Sequence, residues 1–400
     1  MITSLMPTLP AYEREPYRLE IDAMVVSVGE DRGRSYAVLS DTVLFPEGGG
    51  QPADHGFLDR VRVLDVQQID GQVLHYLASP IPTGPVKVRL DWSRRFDHMQ
   101  QHTGQHVLTA VAQERFGWHT TAFHLGEEHC DIELAAANLA AQDLVLLEAA
   151  VAEITRAARS VTTRRVTLED YQSMKVRSRG LPAGHSGEVR LVEIEGLDLN
   201  TCGGTHLSNT AELECVKLLG MESIRGGTRL FFIVGARARR RMESHEKRNA
   251  ALRTLLGAPD EAIVPVMEAK LDQLRAAEKR VRLLEDEVLV SLVAALATRP
   301  GALAEQHFEG KDAEFLQKAA RQLMASVPAK AVFLTSTSEG FHYFVLAAGA
   351  GASLDTATLG KEIAGLLEAK GGGAKGFFQG KAVSLLKRSE ALERLSQALI

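Results

Sequence analysis

Cysteine is scarce in this sequence, three in 400 residues, which excludes a scaffold stapled by disulfides. No uncharged apolar run reaches the roughly 18 residues that a membrane-spanning helix needs, so no membrane partner is expected. Met1 to Arg18 lacks the basic flank and apolar stretch of a secretory leader. A reducing cytoplasm is the compartment that fits these absences. An excess of positive charge is also missing: the formal net charge is −5, so any RNA contact has to be regional rather than spread over the whole surface. There is no internal repeat, and the only low-complexity tract is the short Gly371-Gly372-Gly373 run.

What is present is an ordinary globular composition, 45% hydrophobic and 24% charged, over a length that predicts several cores. The expected fold class is α+β. Residues 1–93 read as an antiparallel β-barrel-like domain, with β-like runs at Tyr17 to Val28, Tyr36 to Phe45, Arg60 to Val66, Val73 to Leu77 and Val86 to Leu90. Asp70-Gly71 between two of these runs is a strong hairpin signal. Residues 94–235 read as an α+β domain, with a helix from Arg94 to about Gly117, a second over Ala141 to Ala158, and strands at Ser160 to Val166, Val189 to Ile194 and Arg229 to Val234.

Residues 236–297 are charged and helical. Met267, Leu271, Leu274, Val281, Leu284 and Val288 fall at heptad-like intervals, and Pro259 and Pro265 predict a break into two helices. The segment reads as a helical spacer whose register would also suit a homodimer. Residues 298–400 read as a C-terminal α/β domain, a second place for self-association. Its elements are a helix over Asp312 to Ser326, strands at Ala331 to Ser336 and His342 to Ala347, a helix over Leu359 to Lys370, a glycine-rich loop and a last helix.

His102-Thr-Gly-Gln-His106 lies on the first predicted helix, where a spacing of four puts both imidazoles on one face. Cys202-Gly-Gly-Thr-His206 offers a thiolate and an imidazole at the same spacing across a flexible pair of glycines. Together they form a His3Cys set that suits one Zn²⁺ per chain better than Mg²⁺ or Ca²⁺. Cys130 and Cys215 have no ligand partner at such spacing and read as buried small hydrophobes. A metallopeptidase helix is disfavoured, because residues 103 to 105 contain no glutamate to act as the base.

Asp41-Thr-Val-Leu-Phe-Pro-Glu-Gly-Gly-Gly-Gln51-Pro follows a predicted strand, and its three consecutive glycines let the backbone approach a ligand closely. It is not a phosphate loop, since no Lys-Ser/Thr follows the glycines. Phe45-Pro-Glu-Gly-Gly-Gly-Gln51-Pro, His102-xxx-His106 and Cys202-Gly-Gly-Thr-His206, in that order, resemble the editing domain of alanyl-tRNA synthetases and their freestanding AlaX-type relatives. The likeness covers about residues 15 to 240. Gly371-Gly-Gly-Ala-Lys-Gly-Phe-Phe-Gln-Gly380 resembles the DHH-associated C-terminal domain of the same synthetases. With the β-domain starting within about 20 residues of Met1, the resemblance implies the long freestanding form, without amino-acid activation.

That likeness implies a trans-editing hydrolase acting on tRNA(Ala) mischarged with serine or glycine through a zinc site, in the service of translation fidelity. It supports substrate roles for Thr42, Gln51 and Gly50 on or beside the glycine loop. An alanine pocket cannot strongly exclude glycine or serine, because such small differences are worth only about 1–3 kcal/mol, so a separate hydrolytic sieve is needed. Cationic surface for tRNA is offered by Lys175, Arg177 and Arg179 in one loop and by Arg237, Arg239, Arg240 and Arg241 after the editing domain. A non-catalytic tRNA-binding protein with a structural zinc is the alternative from another class.

Overall fold

The computed structural model describes residues 9–178, 180–181, 187–374 and 376–399. It divides into two compact units, Met1–Ala251 and Leu252–Ile400. The first opens on a short helix, α1 (Ala11–Arg14), followed by a closed antiparallel barrel. Its strands are β1 (Glu20–Asp31), β2 (Arg34–Leu39), β3 (Gly56–Leu58), β4 (Val61–Ile69), β5 (Gln72–Leu77) and β6 (Gly84–Leu90), in the order β1-β2-β5-β4-β3-β6. Ile21, Ala23 and Val25 alternate inward along β1, the period of two that buries one face of a strand. Asp70 (φ 49°) and Gly71 (φ 79°) turn β4 back into β5, as a type I′ hairpin demands. The predicted run to Phe45 stops at Leu39, and residues 40–54 cross the barrel as an irregular segment.

His75 lies on β5 wholly inside the barrel, and burial pushes its pKa down to about 4. Buried His98 is pushed in the same direction, to about 3, by burial and by Arg94. An unfolded chain takes up protons near pH 6.5 that the folded one refuses, so the stability carried by these rings is complete above that pH and is lost as pH falls toward 4. At about 1.4 kcal/mol for each pH unit, His75 alone accounts for roughly 3 kcal/mol. The denaturant midpoint should therefore drop clearly between pH 7 and pH 5. A flat profile over that range would contradict the placement of these rings.

After the barrel comes α2 (Trp92–Phe116), started by Asp91, whose carboxylate accepts from Arg94 N, and stopped by Gly117 at φ 71°. Almost every face of α2 from His98 to Ala112 is buried, so its polar side chains need protein partners. Gln101 finds both in the backbone of Val234, and Gln100 bridges Glu212 O and Ala236 N. Next come β7 (Thr120–Leu125), β8 (Cys130–Leu134), α3 (Ala141–Arg156), β9 (Val161–Val166) and α4 (Leu168–Ser173). They are followed by β10 (Val189–Ile194), β11 (Asp198–Thr201), β12 (Val216–Ile224), β13 (Gly227–Val234) and α5 (Ala236–Leu256). Two sheets result, β11-β10-β9 and β12-β13-β8-β7. The pair β7 and β8 lies outside the predicted strands: Cys130, Ile132 and Leu134 do alternate inward along β8, but over only five residues, and β7 shows no such period. Cys130 is buried as expected, but Cys215 is exposed, because it sits at the mouth of β12 rather than inside it.

The second unit holds α6 (Ile263–Ala297), β14 (Leu303–Glu309), α7 (Ala313–Ser326), β15 (Ala331–Ser338), β16 (Phe341–Ala348), α8 (Thr356–Leu366), β17 (Lys370–Ala374), β18 (Phe377–Ala382) and α9 (Arg388–Gln397). Its sheet runs β14-β15-β16-β18-β17. Leu289, Val293 and Leu296 of α6 join α7 in one core, while α8 and α9 build another. Two expectations need correction. The helix break falls at Gly257 (φ 64°) and Pro259, whereas Pro265 sits in the first turn of α6, where a missing N–H costs nothing. The glycine-rich loop is an edge strand: a Cβ on Gly371 or Gly373 would lie 2.4 or 2.0 Å from a carbonyl oxygen of β18, so only glycine allows this pairing. No helix among the described residues is long and apolar enough to cross a membrane.

Candidate metal centre and substrate cleft

His102 and His106 project from α2 one turn apart, and the turn after β11 brings Cys202 and His206 to face them. The candidate ligand atoms of the four residues all lie within 4.8 Å of one another. Cys202 Sγ is 3.2 Å from His102 Nε2 and 3.3 Å from His206 Nε2. Gly204 makes the approach possible, since a Cβ there would lie 2.3 Å from the His102 ring. Arg190 on β10 clamps the same turn, donating from one guanidinium nitrogen to Cys202 O at 2.7 Å and Gly204 O at 2.9 Å.

Behind each imidazole a polar side chain faces Nδ1, within hydrogen-bond distance for His102 and His206 and as an ion-pair neighbour for His106. His102 Nδ1 donates to Gln51 Oε1 at 2.9 Å, and that oxygen also accepts from Thr205 N, while Gln51 Nε2 donates to Thr205 Oγ1. Asp198, braced by Arg177, faces His106 Nδ1 at 3.5 Å. His206 Nδ1 lies 3.2 Å from Thr103 Oγ1. Outer partners of this kind fix the ring orientations of metal-binding histidines. Burial alone would raise the Cys202 thiol, but the facing imidazoles of His102 and His206 hold it well below its ordinary 9. Burial and His102 push His206 down to about 3, whereas Asp198 and the Cys202 sulfur lift His106 to about 9 against its burial. Three buried imidazoles converging on a half-buried thiolate compete for a few shared protons; a metal ion satisfies all four donors together, and the group could hold one.

A cavity of about 680 Å³ opens onto the cluster, lined among others by Gly49, Gly50, Gln105, Thr109 and Phe123. Gly50 has φ 82°, and a Cβ there would press on the Phe123 ring at 2.9 Å. A second cavity of about 610 Å³ shares Gly49 and Gly203 with the first and is lined by Thr42. Thr42 and Gly50 thus face open space, whereas Gln51 stands behind His102 with its amide taken up by protein.

Of the cationic candidates, Lys175, Arg239, Arg240 and Arg241 are exposed, with Arg239 paired to Glu214 and Arg240 3.5 Å from Asp97. Arg177 is turned toward Asp198, and Arg237 is buried against Asp97 and Gly126 O. These two guanidiniums are withdrawn from the surface onto carboxylates, 21% and 7% exposed, whereas Arg239 and Arg240 stay 58% and 65% exposed beside theirs. Arg179 lies outside the described residues. Sequence reasoning missed Thr103, Thr205, Asp198, Arg190 and His75. The first two sit inside the motifs as spacer positions, and the other three carry no local signal.

The profile of the "Threonyl and Alanyl tRNA synthetase second additional domain" matches residues 189–231. Alanyl-tRNA editing protein Aarsd1 of Mus musculus is 38% identical over 361 residues, covering 89% of this chain and 86% of its own length. The Danio rerio protein of that name is 36% identical over 395 residues, covering 94% and 95%. Alanine–tRNA ligase of Thermococcus kodakarensis is 30% identical over the whole of this chain, which spans 44% of the ligase.

Proposed function

The chain belongs to the family of alanyl-tRNA editing proteins, and from that premise we propose that it deacylates tRNA(Ala) carrying serine, and also glycine, with one Zn²⁺ held by His102, His106, Cys202 and His206. The observation that carries this reading is the convergence of three imidazoles and a thiolate beside a glycine loop, at the floor of a cavity. When bound, Zn²⁺ supplies positive charge to the ester carbonyl or to a hydrolytic water.

The protein's own part is orientation. Gln51, Asp198 and Thr103 hold the three rings so that their Nε2 atoms point inward, and Arg190 holds the turn that presents Cys202. Gly49 and Gly50 keep the loop free of side chains where the aminoacyl end must enter. Thr42 offers a buried hydroxyl to the serine side chain, a partner that alanine would leave unused. Hydrolysis is assigned to residues 94–235 working with the glycine loop of the barrel, and tRNA affinity to the exposed arginines of α5 and to residues 298–400. The α6 heptads are the candidate contact for a homodimer. A reducing cytoplasm suits a site whose cysteine must stay a free thiolate.

The test is deacylation of seryl-, glycyl- and alanyl-tRNA(Ala), with and without a chelator. Seryl-tRNA should be preferred, and the chelator should abolish its hydrolysis. Thr42→Val should cost on the order of 1–3 kcal/mol on seryl-tRNA and little on alanyl-tRNA, shrinking selectivity roughly 5- to 150-fold. Equal losses on both substrates would remove Thr42 from the specificity argument.

A further inference from the structure

A threonine hydroxyl has one hydrogen to donate and two lone pairs to accept with, and the barrel commits two of the three at Thr42. His75 Nδ1 lies 3.1 Å from the carbonyl oxygen of Ala37, its partner across β2. A carbonyl only accepts, so Nδ1 carries the ring hydrogen. Complete burial keeps the ring neutral, and Nε2 is therefore a bare acceptor. Thr42 Oγ1 lies 2.9 Å from that Nε2, so the hydroxyl hydrogen points at the ring. Leu44 N–H donates to Thr42 Oγ1 at 3.0 Å and fills one lone pair. One lone pair remains, on a residue that lines the second cavity, which shares Gly49 and Gly203 with the cavity that opens onto the His/Cys cluster.

We propose that His75 is a positioning residue for selectivity: it locks the Thr42 hydroxyl as an acceptor, so that the protein recognises serine by the hydrogen bond serine donates. The proposal rests on the reading of Thr42 as the serine partner. Its consequence is sharper than a preference for polar or larger side chains. An aminoacyl group of serine's size that cannot donate meets an oxygen lone pair and gains nothing over alanine. A hydroxyl free to rotate could instead donate to whatever atom entered, and it would blur that distinction.

The experiment compares kcat/KM for tRNA(Ala) charged with serine, β-fluoroalanine and alanine. On the unmodified protein, the fluoroalanyl ester should be hydrolysed within about threefold of the alanyl one, far below the seryl ester. Hydrolysis near the seryl rate would overturn the proposal, because fluorine donates nothing. His75→Phe releases the Thr42 hydrogen and should lower the serine-to-alanine ratio by about three- to tenfold, the worth of one net hydrogen bond. His75→Gln, whose amide oxygen can take the place of Nε2, should recover most of it. If Thr42→Val shrinks the ratio and His75→Phe does not, the positioning role is wrong while the role of Thr42 stands. If Thr42→Val itself leaves the ratio unchanged, the underlying reading fails. Should His75→Phe not fold, the fluoroalanyl comparison decides alone, since it needs no variant.

Discussion

Alanine in place of Cys202 is expected to strip the protein of its metal and to lower its rate on seryl-tRNA(Ala) by at least about 100-fold, the scale on which even indirect damage to metal sites is felt. Cys202 is the one anionic donor of the group, and its thiolate is stabilised by two imidazoles at 3.2 and 3.3 Å. Without it, only the three imidazoles remain around a hole, with no anionic donor to offset the charge of a divalent ion, and the affinity falls with the lost donor. The variant should keep its fold, because α2 and the sheets around it are held by their own cores. Metal content by elemental analysis and deacylation in the same preparation decide the matter. A full equivalent of zinc bound as tightly as before would sink the assignment. Zinc lost with activity intact would instead make the metal structural and free the chemistry from it.

The four cluster residues were legible because each pair sits four residues apart on its own motif, so local spacing alone makes two half-sites. What spacing does not encode is the shell behind them. Gln51 and Thr205 are 154 residues apart in sequence, yet together they fix His102, and Asp198 reaches His106 only because β11 ends where it does. The barrel shows the same division. Its strands and the Asp70-Gly71 turn follow from alternation and turn chemistry, but closure places β5 between β2 and β4, and that order is a matter of long-range pairing. His75 illustrates the cost. On the sequence it is one polar residue in a strand, and its meaning comes from Ala37 across one neighbour and Thr42 across the barrel mouth. The C-terminal glycines misled for a different reason: glycine marks close backbone approach as well as loops, and here the close approach is a strand edge.

Arg95→Met should destabilise the first unit by about 3–5 kcal/mol, as expected when one member of a buried ion pair is removed. Arg95 is completely buried on α2, two turns before the cluster histidines, and its guanidinium reaches both the segment before β1 and the irregular segment 40–54. It donates to Pro16 O at 2.8 Å, to Val43 O at 2.6 Å and, from Nε at 2.9 Å, to the carboxylate of Asp54. That carboxylate in turn accepts from Phe45 N at 2.7 Å, so the glycine loop between them is closed by the pair. Burial raises the pKa of Asp54 and Arg95 opposes it; without the arginine, a buried carboxyl is left with one backbone donor, and Oδ1 already has no partner. The variant with Asp54→Leu added should recover part of the loss, since no orphaned charge remains, though Phe45 N then loses its acceptor. Urea unfolding of the two single variants and the double one measures the coupling directly. Val43 and Asp54 flank the stretch that carries Gly50 and Gln51, with Thr42 next to Val43. Selectivity for serine should therefore fall in Arg95→Met even in molecules that remain folded. A cost below about 1 kcal/mol, the worth of a surface pair, would mean that the loop holds its shape without this clamp.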